Sequence, residues 1–189
     1  MANIEIVEIE TRKNWRRFFR FPGKLYKGNS FYVKPGFKSE RSMFSWKNPR
    51  YNDFILKAFL AIKGKDVVGR IAVVISKGSN TEEKGDNRNK ATFTRFDFID
   101  NYEVSSMLVE KVLTLVKRTG VPGIFGPVGF GDADMKGVLV YGFERKGGEI
   151  YNYAYYRDHI ERLGFEKKED FECTQSGKVW RIFIKQIGE

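Results

Sequence analysis

The chain has 189 residues, 41% of them hydrophobic and 15% aromatic, with a formal net charge of +10. That length suits one domain spanning 1–189 with a substantial core, and it excludes a disordered chain. No apolar run reaches the roughly 18 residues of a membrane span, a single cysteine (Cys173) excludes an internal disulfide, and Met1 to Ile6 lacks the basic-then-apolar pattern of a leader, so a cytoplasmic location without membrane partners is expected.

Ile4, Ile6, Val7 and Ile9 alternate with Glu5, Glu8 and Glu10, which predicts a first strand. Thr11 is placed to cap a helix reaching about Arg20, where Pro22 and Gly23 are expected to break it. The excess cations are densest here, at Arg12, Lys13, Arg16, Arg17, Arg20, Lys24 and Lys27. Aromatic residues interleave with them, as in some nucleic-acid binders. Trp15, Phe18 and Phe19 fall at helical spacing, however, and are expected to face the core. Scattered charge is therefore read as a solvated surface, and nucleic acid is not the expected partner. Leu25 to Gly36 reads as an ordered loop, and a short helix is predicted from Phe37 to Trp46.

Leu56–Ile62 and Val67–Ile75 flank the turn Lys63-Gly64-Lys65-Asp66, the strongest hairpin signal in the chain. The polar stretch from Lys77 to Lys90 predicts an exposed loop, and Thr92–Ile99 a further strand. Val104, Leu108, Val112, Leu115 and Val116 keep helical period up to Gly120, a good helix stop. Ile124-Phe125 starts a short strand, and Gly126 to Gly148 is glycine-rich without a clear period. Tyr151–Leu163 reads as a helix ending at Gly164. Phe165–Phe171 and Lys178–Ile184 read as a closing hairpin.

This order of elements resembles the GNAT N-acetyltransferase superfamily. Gly64-Lys65-Asp66-Val67-Val68-Gly69-Arg70-Ile71-Ala72 is similar to the family's "dGkiVGria" stretch. Asn152 and Ala154 through Glu161-Arg162-Leu163-Gly164-Phe165 are similar to its "N..A...yeklGF" ending. A nearer resemblance is to uncharacterised GNAT-like proteins with an FPxxLYKGN motif, here Phe21 to Asn29, and with a stretch like Phe96-Asp97-Phe98-Ile99-Asp100-Asn101-Tyr102-Glu103-Val104-Ser105. The resemblance implies an α/β (α+β) acyl-CoA N-acyltransferase fold: a central mixed, mostly antiparallel sheet flanked by helices. It also implies acetyl-CoA or another acyl-CoA as co-substrate, and an amine acceptor that is a small molecule or peptide. A homodimer is compatible with it.

By the same resemblance, the acyl-CoA pyrophosphate belongs at the start of the central helix, at Ile99, Asn101, Val104, Ser105 and Ser106. Free amides and the helix dipole attract anions there. The family's glycines are missing, and Asp100 and Glu103 have the spacing of a capping box. Asp97 matches the position of a carboxylate base, and Tyr156 is the candidate acid, one turn before the family position, which is Ile160 here. Tyr26, Asn29, Tyr32 and Phe130 are candidates for the acceptor side. His159, the sole histidine, reads as a surface or cap residue, and no metal is expected: Asp132 and Asp134 lack the rest of a calcium loop. Two readings stay open: an N-acyltransferase, or a non-catalytic GNAT-like ligand-binding module with a degenerate CoA pyrophosphate site.

Overall fold

A computed structural model describes residues 3–52, 54–77, 91–129, 136–145 and 150–187. Its strands are β1 (Ile4–Glu8), β2 (Phe54–Lys63), β3 (Asp66–Ser76), β4 (Ala91–Phe98), β5 (Gly123–Gly126), β6 (Val138–Tyr141), β7 (Glu166–Cys173) and β8 (Lys178–Gln186). The α-helices among the described residues are α1 (Arg12–Leu25), α2 (Phe37–Met43), α3 (Tyr102–Lys117) and α4 (Tyr155–Arg162). All strands join one sheet. Strands β1 to β4 pair antiparallel in order, and β4–β5 is a parallel pair. Strand β8 carries β7 along one edge, with β5 and β6 end to end along the other.

Strand alternation assigns the two faces. Phe59, Ala61, Ile71 and Val73 join the cluster holding Val104, Leu108 and Val112 of α3. Ala58, Leu60 and Ala72 point the other way, to Phe18 of α1 and Phe44. Helix α3 seats closely on β3 because Gly69 has no side chain. A Cβ there would stand 2.8 Å from Leu108 Cδ1 and Val104 Cγ1.

Helix α1 does not stop near Arg20. It runs through Pro22 to Leu25. Proline lacks the N–H that would bond the carbonyl four residues back. Here that carbonyl, Phe18 O, receives Arg70 Nη1 at 3.0 Å instead. The helix then continues, with Tyr26 N donating to Pro22 O at 2.9 Å. A buried arginine from β3 thus supplies the bond that Pro22 removes.

The other departures lie in the glycine-rich part. Strand β6 falls within it and was not predicted. Four residues are too few to show a period, and its edge is completed by a side chain rather than a strand. Asn152 Oδ1 accepts from Leu139 N at 2.7 Å, and its Nδ2 donates to Leu139 O at 3.1 Å. Committed to that pairing, residue 152 lies outside the helix, which starts at Tyr155 rather than Tyr151. Helix α2 ends at Met43, short of Trp46.

One surface pair predicts a pH response. Asp170 faces Arg181 across β7 and β8 and accepts from its Nε at 2.8 Å and Nη2 at 3.1 Å, with Lys167 Nζ at 2.7 Å. The Arg181 hydrogen bonds hold the Asp170 carboxyl down at about 2. Its folded value lies below the unfolded one, so its stabilisation is complete above pH of about 4 and is lost as pH falls towards about 2. Acid unfolding of Asp170→Asn should lack that part of the wild-type slope; equal slopes in the two proteins would contradict it.

Candidate active site

Strands β4 and β5 run together only briefly. Ala91 pairs with Ile124 and Thr92 with Phe125, and Val128 N then donates to Phe93 O at 2.8 Å. Beyond Phe93, β4 and β5 no longer pair, and a cleft opens. Thr94, Phe96, Asp97, Pro127, Tyr151 and Tyr156 line it.

Within the cleft β4 carries a bulge. Ala72 pairs with Thr94 and Arg70 with Asp97, so Arg95 and Phe96 together oppose Ile71. Arg95 has φ +50°, a left-handed conformation that costs a non-glycine residue on the order of 1 kcal/mol. A buried ion pair holds it there: Nη2 lies 2.8 Å from Glu40 Oε1 on α2, and Nε 3.3 Å from Oε2. Extra residues in a strand re-aim the side chains that follow. Here the bulge turns Asp97 to the same side of the sheet as Arg70.

Asp97 is held by three donors. Arg70 Nε reaches Oδ2 at 2.7 Å, while Tyr26 OH at 3.1 Å and Tyr156 OH at 3.3 Å reach Oδ1. The two phenol oxygens are 2.7 Å apart, and Phe98 N donates to that of Tyr156 at 3.2 Å. Burial raises both phenols well above their ordinary value, and the Asp97 charge adds to this. Both therefore stay protonated and act as donors. Tyr32 stacks on Tyr26, ring centroids 4.3 Å apart, and its phenol is likewise raised by burial. Tyr32 also borders a second pocket on the α1–α2 side, with Phe19, Lys34, Glu40 and Arg70.

The structure therefore brings Asp97, Tyr156, Tyr26 and Tyr32 together. Pro127 and Val138 bring parts of the glycine-rich segment to the cleft wall. Asn29 is spent on its own loop, where Oδ1 accepts from Phe31 N at 2.9 Å. Phe130, Asp132 and Asp134 lie outside the described residues.

The start of α3 differs from the capping box that the spacing suggested. The residue with extended backbone before the helix is Asn101, not Asp100. Its Oδ1 accepts from Glu103 N at 2.9 Å and Val104 N at 3.4 Å. Asp100 instead meets His159 Nε2 at 3.0 Å. His159 is not a surface residue: it is 9% exposed, and its Nδ1 lies 2.9 Å from Ser105 Oγ. Arg162 adds to the seal, its guanidinium 3.7 Å from the Tyr102 ring centroid. Helix α4 thus sits directly on the first turn of α3. Residues 59 positions apart make the Asp100 contact, so no local spacing could have revealed it.

The remaining residues singled out at this turn are buried or half-buried. Val104 and Ser105 are fully buried. Ser106 Oγ donates to Glu103 O at 3.1 Å, and Ile99 N donates to Val68 O at 3.0 Å. Asn101 thus already occupies two of the amides that an anion at the first turn of α3 would need.

No family model matches the chain. Protein YghO of Escherichia coli (strain K12) is 28% identical over 161 residues, covering 84% of this chain and 40% of that protein. The chain thus spans two fifths of this relative's length. Among solved structures, an N-acetyltransferase from Staphylococcus aureus Mu50 superposes with a TM-score of 0.64 at 7% identity, covering 99% of this chain and 100% of that one. A GCN5-related N-acetyltransferase from Kribbella flavida gives 0.62 at 12% identity, covering 97% of each chain. The yncA structure from Salmonella typhimurium, which holds its cofactor acetyl-CoA, gives 0.60 at 9% identity, covering 100% of this chain and 96% of that one. The splayed parallel pair, the antiparallel remainder of the sheet and these superpositions agree: the chain has the GNAT acyltransferase fold.

Proposed function

We propose that the β4–β5 cleft is an acyl-transfer site, passing an acyl group from a thioester to an amine on a small molecule or peptide. The observation that carries this reading is the meeting of Asp97 and Tyr156 in one hydrogen-bonded cluster on the wall of the opened cleft. Acyl-CoA supplies the activated acyl group. Asp97 takes the proton that the amine loses as its nitrogen bonds to the acyl carbon. Tyr156, kept protonated by burial, gives a proton to the sulfur as the C–S bond breaks. The two groups are 3.3 Å apart, so the proton taken from the amine can return to Tyr156 through the cluster, with no net change. Tyr26, buried behind Asp97, and Tyr32, stacked on it, back the acceptor side.

The capped amides at Asn101 favour a second reading, a ligand-binding module of the same fold that has no use for CoA. Thermal melting with added acetyl-CoA separates the two. A ligand at about 100 times its Kd adds roughly 2.7 kcal/mol, which in a domain of this size raises Tm by about 5–10 °C. That rise, increased further in Asn101→Gly, is the result expected for the transferase. An unmoved Tm at millimolar acetyl-CoA in both proteins leaves the second reading standing.

A further inference from the structure

Between Glu10 and Glu40 the chain has no acidic residue. At about 100° per residue, Arg12, Lys13, Arg16, Arg17, Arg20 and Lys24 fall within one arc of about 140° on α1. The aromatic residues take the opposite arc, with Phe18 fully buried and Trp15 and Phe19 packed against Phe44. The arrangement costs stability. Arg12, Arg16, Arg20 and Lys24 follow one another at like-charged i,i+4 spacing, and the first turn carries cations where the helix dipole favours acids. Among the described residues, the acidic partners of this face reduce to Asp66, which pairs with Lys24 at 2.6 Å. The face is widened from outside the helix. Lys34 lies along Gly23, and Arg17 Nη2 donates to Lys65 O at 3.1 Å, bringing that turn alongside.

We infer that the exposed face of α1 is a docking surface for the phosphate backbone of duplex DNA. Arginine forks suit phosphate oxygens, and four of the six cations are arginines. The occupant is a duplex rather than a single strand, because the aromatic rings that would stack on bases are turned into the protein. A membrane is disfavoured because Phe18 and Phe21, on the apolar side of the helix, are buried in the protein. The face also lacks the exposed aromatic anchors of a protein interface. A helix about 10–12 Å wide matches the roughly 12 Å major groove of B-form DNA, with its cations towards the rims, whereas the A-form groove of RNA is too narrow. This inference is independent of the acyl-transfer reading.

The test is fluorescence anisotropy of a labelled, mixed-sequence DNA duplex with the full chain, titrated with salt. The wild type should still bind at about 0.15 M salt, with log K falling linearly in log salt. R12E/R16E/R20E should flatten that slope by about 3 and weaken binding by at least about tenfold, with Tm unchanged or higher. K111E/K117E/R118E makes the same charge change on α3 and should leave the slope as in the wild type. Equal losses in the two variants would show a general effect of net charge and overturn the inference. So would no DNA binding by the wild type at that salt, or tighter binding to duplex RNA or to anionic vesicles. If the α1 reversal does not fold, R12Q/R16Q/R20Q replaces it, with the same two outcomes.

Discussion

Arg70→Met is expected to lower the free energy of unfolding by about 3–5 kcal/mol. Arg70 is 3% exposed and joins three parts of the molecule. Its Nε holds Asp97 Oδ2 at 2.7 Å, its Nη1 fills the carbonyl of Phe18 at 3.0 Å, and its guanidinium lies 4.7 Å from the centroid of the Phe18 ring. Methionine keeps most of the volume but removes the counter-charge of Asp97, leaving the carboxylate only the two phenols on Oδ1, and takes the donor from a helix carbonyl. Unpaired buried groups cost more than the net worth of the bonds they lose. Lysine should not restore the wild type, because one ammonium cannot serve two acceptors in a fork geometry. Denaturant unfolding measures the loss. In Arg70→Met with Asp97→Leu, the combined loss should be clearly less than the sum of the single losses, since the stranded charge is gone. A loss below 1 kcal/mol for Arg70→Met would mean that water already serves both acceptors.

For the proposed acyl transfer, Asp97→Asn is expected to lower kcat/KM by about 10²–10⁴-fold, the range for losing a general base. The amide keeps an acceptor for the phenols, but its NH2 then opposes the Arg70 donor, so the stability of the variant must be measured beside its activity. A folded Asp97→Asn enzyme retaining more than about a tenth of wild-type kcat/KM would remove Asp97 from the role of base. The position would then be structural, holding Arg70 and the two phenols in place. Arg70→Lys is the companion measurement: it retains the carboxylate and should retain more activity than Asp97→Asn.

Parts of this fold with a local period were legible before any coordinates. The β2–β3 hairpin shows itself through two apolar runs and a Gly-Lys-Asp turn, and α3 through Val104, Leu108 and Val112. Both kinds of pattern reflect which face of an element meets the core, and that is written along the chain itself. The resemblance singled out Asp97 and Tyr156 separately, and their hydrogen bond across 59 positions is not visible in any local spacing. Pro22 misled for the opposite reason: its local effect is real, but a side chain 52 positions away, Arg70, repairs it.

The amino-acid order by itself determined the type of the strands and helices other than β6, and the acid-free run of cations on the first helix, because each depends on neighbours within a few residues. Tertiary structure alone decided that Arg95 bends β4 around a buried ion pair, that Asn152 completes the edge of β6, and that His159 joins α4 to the start of α3. Each of these is a hydrogen bond between distant positions. Such bonds form only when packing brings a donor and an acceptor together in a place that water does not reach.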